Sequence, residues 1–255
     1  RFPMNPDHLF LHSKSGSKLQ VLFINRNAKY TLVISHGNAE DIYLVEQWLQ
    51  TYFLKQVDVN CVVYEYTGFG ESNGRIPGDR SLYDDIETVY LYLTENLNIS
   101  SDNIILYGRS IGSGPSSYLA EKHPVAGVIL HSGLMSALRV VFNLRWTLPF
   151  DKFPNIDRMA NIDCPVYIIH GKRDEIVPFY HAQEYTGRPD TNTHLTMLMA
   201  LGITMGEVRH GLLPAYQSVH QYIDSYVTER NNERAANGLR TQESNYDYHD
   251  SDDEN

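Results

Sequence analysis

The apolar positions of this chain fall into short runs that alternate with longer stretches of helical period. His8 to His12 and Lys18 to Ile24 are two such runs around Ser13-Lys14-Ser15-Gly16-Ser17, the pattern of a β-hairpin. Tyr30 to Ser35 reads as a third strand. Ile42 to Lys55 reads as a helix with Tyr43, Val45, Trp48, Leu49 and Tyr52 among its apolar positions. Asn60 to Tyr64 is the next strand, and it leads into the glycine-punctuated loop Tyr66 to Ser72. Ser81 is placed to cap a helix over Leu82 to Leu97, in which Leu82, Ile86, Val89, Tyr90 and Leu93 recur at helical spacing. Ile104 to Tyr107, Val128 to His131 and Val166 to His170 are β-favouring runs of buried-strand length. Pro115 to Lys122 reads as a helix, with the proline in the first turn, where a missing N–H costs little. His194 to Met199 is expected to be the last strand and Leu212 to Val227 the closing helix. Ser132 to Asp163 lacks a clean period. It is either an irregular cover over a site or packed core.

Strands alternating with helices after an initial hairpin imply an α/β fold. Its central sheet is mostly parallel, with an antiparallel N-terminal hairpin and helices on both faces. In such sheets a site lies at the carboxyl ends of the strands. Three loops there carry chemistry: those after Ser35, Tyr107 and His170.

Gly108-Arg109-Ser110-Ile111-Gly112 fits the Gly-x-Ser-x-Gly nucleophile elbow. The strand must turn sharply into the helix and leave the serine at the apex in a strained conformation, so glycines are needed where a Cβ would clash. By composition alone a chain of this length matches the pattern roughly one time in ten. The flanking strand and helix set this match apart. The Ser110 hydroxyl then stands at a helix N-terminus, which favours a developing anion.

A nucleophilic serine needs a base, and the base needs an orienting acid. On elbows of this type the chain order is serine, acid, histidine. Asp174 is the expected acid because it follows the strand Val166 to His170 directly, with Glu175 as the fallback. His210, just before the closing helix and beside Gly211, is the expected base. His194 begins a strand, His170 ends one beneath the acid loop, and His181 and His220 fall on helices as surface or interface residues. Two N–H donors should form an oxyanion hole: Ile111, after the nucleophile, and Asn38 in the loop after the third strand. His36 is expected to brace that loop. No metal-ligand set and no phosphate-binding or dinucleotide fingerprint is present, so no cofactor is expected.

Composition narrows the picture further. The 255 residues carry a net charge of −10, a poor match to nucleic acid or an anionic membrane surface. Eight acidic and three basic side chains lie from Glu229 onward, in a polar stretch expected to be a disordered tail over 229–255 behind one domain over 1–228. Cys61 and Cys164 lie in or beside apolar runs and are expected to be buried, inert thiols in a reducing, cytoplasmic setting. No run approaches the roughly 20 apolar residues of a membrane span. The chain starts at Arg1, so any anchor ahead of it is out of view.

These residues carry a family likeness. The chain resembles the α/β-hydrolase superfamily, and within it the alpha/beta-hydrolase-domain 17 group of protein depalmitoylases. The likeness runs from about Tyr30 to about Tyr185. It rests on Ser35-His36-Gly37-Asn38-Ala39, Tyr64-Glu65-Tyr66-Thr67-Gly68-Phe69-Gly70, Ser81-Leu82-Tyr83-Asp84-Asp85-Ile86 and Tyr107-Gly108-Arg109-Ser110-Ile111-Gly112. Further landmarks are Ile129-Leu130-His131-Ser132, Phe153-Pro154-Asn155-Ile156-Asp157 and His170-Gly171-Lys172-Arg173-Asp174-Glu175. The resemblance implies the α/β-hydrolase fold and a serine hydrolase that removes thioester-linked palmitate from protein cysteines. Ser110 matches the nucleophile and Asp174 the acid. It also implies an S-acylated protein as substrate and peripheral membrane association through a segment ahead of Arg1; the chain is expected to act as a monomer. The chain departs from the family at the base: Ala200 to Gly206 and more separate the expected strand end from His210, where the family's histidine follows its strand closely. Two alternatives stand beside this reading. One is a carboxylesterase, lipase or peptidase on the same scaffold. The other is a hydrolase-fold binding protein without catalysis.

Overall fold

A computed structural model of the chain describes residues 8–74, 78–142, 144, 146–187 and 213–238. Seven strands form one sheet in the order β1-β2-β4-β3-β5-β6-β7. β1 (His8–His12) and β2 (Lys18–Ile24) pair antiparallel, and β2 pairs antiparallel with β4 (Asn60–Tyr64). From β4 through β3 (Thr31–Ser35), β5 (Ile104–Arg109), β6 (Gly127–His131) and β7 (Val166–Ile169) every pairing is parallel. The expected hairpin and the parallel strands over this range are thus present. The expected strand His194 to Met199 lies outside the described residues.

β3, β4, β6 and β7 are buried along their whole length, which is why their sequences read as continuous apolar runs rather than alternating ones. Two apolar layers result. One face packs Val33, Leu106, Val128 and Leu130 against helices α2 (Asp79–Leu91) and α3 (Ser113–Lys122). The other packs Leu32, Ile34, Ile105 and Ile129 against α1 (Ile42–Thr51) and the closing helical segment. Among its described residues, the stretch between β6 and β7 holds the short helices α4 (Ala137–Val141) and α5 (Asn155–Arg158) and a 3-10 turn over Met159–Asn161, as its lack of period suggests. After β7 come α6 (Tyr180–Thr186), α7 (Leu213–Tyr222), a π-helical stretch over Ile223–Val227, and α8 (Thr228–Ala236).

Three expectations are corrected. Ser81 is not the N-cap of α2. Gly78 is, and Ser81 sits at N3, where its hydroxyl accepts from the Gly78 N–H at 2.8 Å. The helix over Ile42 to Lys55 ends at Thr51 and continues as a 3-10 turn over Phe53–Lys55. The segment from Glu229 to Ala236 is helical rather than disordered: Asn231 donates to the Asp102 carbonyl at 2.6 Å and Arg230 to the Val125 carbonyl at 3.2 Å, which ties α8 to the chain just ahead of β5 and β6. The remainder of the acidic tail lies outside the described residues. Cys61 and Cys164 are both buried free thiols, and burial pushes the Cys164 pKa up to about 12. Among the described residues no helix is long and apolar enough to cross a membrane.

β3 connects to β4 on one side, and the chain then crosses over to β5 on the other side of β3. The crevice at the carboxyl ends of β3 and β5 is therefore a topological switch point, the usual place for a site in such a sheet. Ser35 pairs with Gly108 there.

Candidate active site

β5 delivers Ser110. The residue has φ +52°, the left-handed region that a non-glycine side chain adopts only where its surroundings hold it. The glycines around it are there for lack of space. A Cβ at Gly108 would come within 2.6 Å of the Gly112 carbonyl oxygen, and one at Gly112 within 2.0 Å of the Ser35 carbonyl oxygen. The turn packs directly on the end of β3. The Ser110 hydroxyl is partly exposed and has no hydrogen-bond partner among the described residues. Ile111 follows in the first turn of the helical segment, where backbone N–H groups lack an intrahelical acceptor.

Ser113 ties this elbow to the segment between β6 and β7, which places Leu134, Met135, Phe153 and Ile156 in the core. Its hydroxyl donates to the Ser110 carbonyl at 2.6 Å and accepts from the Leu134 N–H at 3.1 Å and the Asn155 amide at 3.2 Å. Asn155 also donates to the Leu134 carbonyl at 2.9 Å. Asn155 belongs to the block Phe153 to Asp157, and Phe153 lies against Gly114 of the elbow helix.

The loop after β3 forms the facing wall. Gly37 lies beside the nucleophile: a Cβ there would sit 3.8 Å from the Ser110 Cβ. His36 beneath it is buried. Its Nδ1 donates to the Gly37 carbonyl at 2.9 Å and its Nε2 to Glu65 at 3.1 Å. Burial opposes the charged imidazolium, but the Glu65 hydrogen bond and charge outweigh it, and the pKa is raised. Glu65 also accepts from the Ile42 N–H at 3.0 Å, and Tyr66 donates to the His36 carbonyl at 2.6 Å. His36 thus braces the loop as its position predicts. Asn38 stands exposed at the loop's tip, with no partner for its N–H among the described residues.

Asp174 lies in the turn after β7. Its Oδ1 accepts from the N–H groups of Ile176 at 3.0 Å and Val177 at 2.9 Å. Its Oδ2 is 3.7 Å from His170 Nε2, and the side chain is almost fully buried. Glu175, the fallback, is exposed. His170 donates from Nε2 to the Val177 carbonyl at 2.7 Å, so it holds the acid turn closed, and burial lowers its pKa. The expected base His210 and its substitute His194 lie outside the described residues.

His181 is a correction. It is fully buried rather than a surface or interface residue. Its Nδ1 accepts from the Met135 N–H at 2.9 Å and its Nε2 donates to the Arg139 carbonyl at 3.1 Å. His220 is exposed on α7, 3.2 Å from Asp224. Sequence reasoning also missed the ion pair between Glu40 and Arg109, which joins the two loops around Ser110. The only signal for it was opposite charge at two positions flanking expected catalytic loops. The segment between β6 and β7 carries a set of exposed apolar side chains, Val141, Phe142, Trp146, Leu148 and Phe150, with Ile176 on the acid turn.

Residues 26–150 match the family model described as serine aminopeptidase, S33. The chain is 42% identical over 174 residues to alpha/beta hydrolase domain-containing protein 17B of Homo sapiens, which covers 66% of this chain and 59% of the relative. It is likewise 42% identical over 174 residues to the 17C protein of Xenopus laevis, covering 66% and 55%. The matched stretch therefore spans less than two thirds of these relatives. Among solved structures, the Pyrococcus furiosus esterase Pf2001 superposes with a TM-score of 0.68 at 18% identity, over 86% of this chain and 92% of that one. Est1E from Butyrivibrio proteoclasticus, solved with ferulic acid, gives 0.65 at 17% identity over 86% and 99%. At such identities these structures speak for the fold: the chain has the α/β-hydrolase fold.

Proposed function

We infer the function of this chain from its place in the α/β-hydrolase superfamily, where it resembles the alpha/beta hydrolase domain-containing protein 17 relatives: it is a serine hydrolase that passes an acyl group through Ser110 to water. The observation that carries this reading is the serine held at positive φ at the switch point, beside the loop after β3.

In this reading His210 takes the Ser110 proton as Oγ attacks the acyl carbon. The Oγ–C bond forms, the bond to the leaving group breaks, and the same proton goes to the leaving sulfur. Water then attacks the acyl-serine as His210 takes one of its protons, the Oγ–C bond breaks, and His210 returns that proton to Oγ, so that the carboxylic acid leaves and the free serine and neutral histidine are restored. Asp174 Oδ1 is held by two N–H groups, which leaves Oδ2 to orient the imidazole. Ile111 and Asn38 N–H groups receive the oxyanion. Each such donor contributes about 10²–10³-fold in rate.

The substrate class is a long-chain acyl thioester on a protein cysteine. The resemblance supports it, and so does the exposed apolar cover hung on the elbow through Ser113 and Asn155, a surface suited to an acyl chain. The setting proposed is the cytoplasm, at a membrane face reached through a segment ahead of Arg1. The name of the matching family model favours amide bonds as the second reading. Purified protein is tested with an S-palmitoyl peptide, the matched oxygen ester and an aminopeptidase substrate. The expected outcome is a kcat/KM for the thioester at least about tenfold above the others, about 1.4 kcal/mol in the barrier. Faster turnover of the oxygen ester or the amide overturns the thioesterase reading and leaves the serine hydrolase.

A further inference from the structure

Two charged side chains beside Ser110 have no place in the triad. Strand alternation sends Gly108 toward α3, where an added Cβ would meet the Ser116 hydroxyl at 2.8 Å. Arg109 therefore leaves β5 on the opposite face, the α1 side. There its guanidinium pairs with Oε1 of Glu40, the residue that ends the turn after β3. The second oxygen of Glu40 accepts from the Gly37 N–H at 2.7 Å, and the Glu40 N–H donates to the Gly37 carbonyl at 3.1 Å. The turn 37–40 is closed from both sides, with Asn38 and Ala39 at its tip. The pair is mostly shielded from water, with side-chain exposures of 21% for Arg109 and 12% for Glu40. Exposed ion pairs contribute little, but one this sheltered, in which the carboxylate makes a second charge-assisted bond, holds geometry.

An oxyanion hole built from two different loops has a specific difficulty. Its donors must sit about 2.7–3.1 Å from one oxygen at once. Ile111 moves with the elbow. Asn38 moves with the turn after β3. The Gly37 N–H is occupied by Glu40, which leaves the Asn38 and Ala39 N–H groups as the donors of that turn without an acceptor among the described residues; Asn38 is the one the proposed function assigns to the oxyanion. The residue before the nucleophile and the residue that ends the turn are the two that pair.

We propose that the Glu40–Arg109 ion pair is a positioning device that clamps the oxyanion turn to the nucleophile elbow, so that the Asn38 donor and Ser110 keep a fixed relation. The proposal rests on the serine hydrolase reading above. Glu40 and Arg109 touch no reacting atom. They act through the backbone of residues 37–39 and through Ser110's neighbour.

The test is steady-state hydrolysis of p-nitrophenyl butyrate by wild type, Ser110→Ala, Glu40→Ala, Arg109→Ala, Arg109→Lys and the double variant Glu40→Ala/Arg109→Ala, each checked for folding by thermal unfolding. Glu40→Ala is expected to lower kcat by about 10- to 100-fold, somewhat less than loss of a whole donor, and to leave KM within about threefold. Arg109→Lys recovers most of what Arg109→Ala loses. The double variant is no slower than Glu40→Ala alone, because the two residues act as one unit. Additive losses, a loss confined to KM, or wild-type kcat in folded Glu40→Ala and Arg109→Ala overturn the clamp while the hydrolase reading stands. If Glu40→Ala does not fold, the comparison of Arg109→Ala with Arg109→Lys decides by the same criteria. A folded wild type without Ser110-dependent turnover overturns the hydrolase reading, and the clamp with it.

Discussion

His36 and His181 are both buried, and their partners hold them in opposite charge states. Both ring nitrogens of His36 face acceptors, the Gly37 carbonyl and the Glu65 carboxylate, so the protonated ring is the one that fits. His181 Nδ1 faces the Met135 N–H, so that nitrogen must be bare and the ring neutral. Burial, the largest cause, lowers the His181 pKa from 6.5 to about 4. Between those values the unfolded chain binds a proton that the folded protein refuses, so stability rises with pH across this window and is lost as pH falls through it. A shift of that size is worth roughly 3 kcal/mol. Urea unfolding of wild type from pH 4 to pH 7 should show this slope. His181→Gln, whose amide can donate to Arg139, should flatten it while lowering stability at pH 7. A slope unchanged in His181→Gln contradicts the assignment. His181 was not legible as a core residue because its partners, Met135 and Arg139, lie far upstream in a stretch without period. The brace role of His36 was legible, since its position directly after a buried strand leaves the ring little else to do.

At the scale of elements, the block Phe153 to Asp157 acquires a physical meaning that its sequence alone does not carry. Asn155 bridges the loop after β6 to Ser113, and Phe153, with φ +53°, lies on Gly114. A Cβ at Gly114 would come within 2.3 Å of the Phe153 ring. Gly114→Ala is therefore expected to push Phe153 and its block off the elbow helix and to cost about 1–3 kcal/mol, the usual range for overpacking. Thermal unfolding checks it, and a variant as stable as wild type means that Phe153 is not seated on α3. The elbow strand and the elbow helix were legible because glycine spacing and apolar runs are local signals. The first turn of α2 was misread at Ser81 because a serine at N3 and a serine at the N-cap leave the same residue at nearly the same place. The two differ only in which backbone group the hydroxyl reaches, here that of Gly78. The helix over Glu229 to Ala236 was missed for a related reason: its composition is polar, and its anchors, the carbonyls of Asp102 and Val125, are remote in sequence.

Across the whole molecule the candidate site is an assembly of strand ends. Four parallel strands, β3 and β5 to β7, end on one side of the sheet, and their loops bring His36, Gly37, Ser110 and Asp174 to that side. Such convergence was readable from strand order alone, since each of these residues follows a strand end. The Glu40–Arg109 pair was not, because opposite charges 69 residues apart carry no local pattern. Under the proposed function Ser110 is an activated nucleophile with His210 as its base. Labelling with a fluorophosphonate probe tests this most directly, on wild type, Ser110→Ala and His210→Ala. Strong labelling of wild type and its loss in both folded variants are expected. Labelling that survives His210→Ala contradicts the assigned base and directs the search to His194, and no labelling of a folded wild type contradicts the hydrolase reading itself.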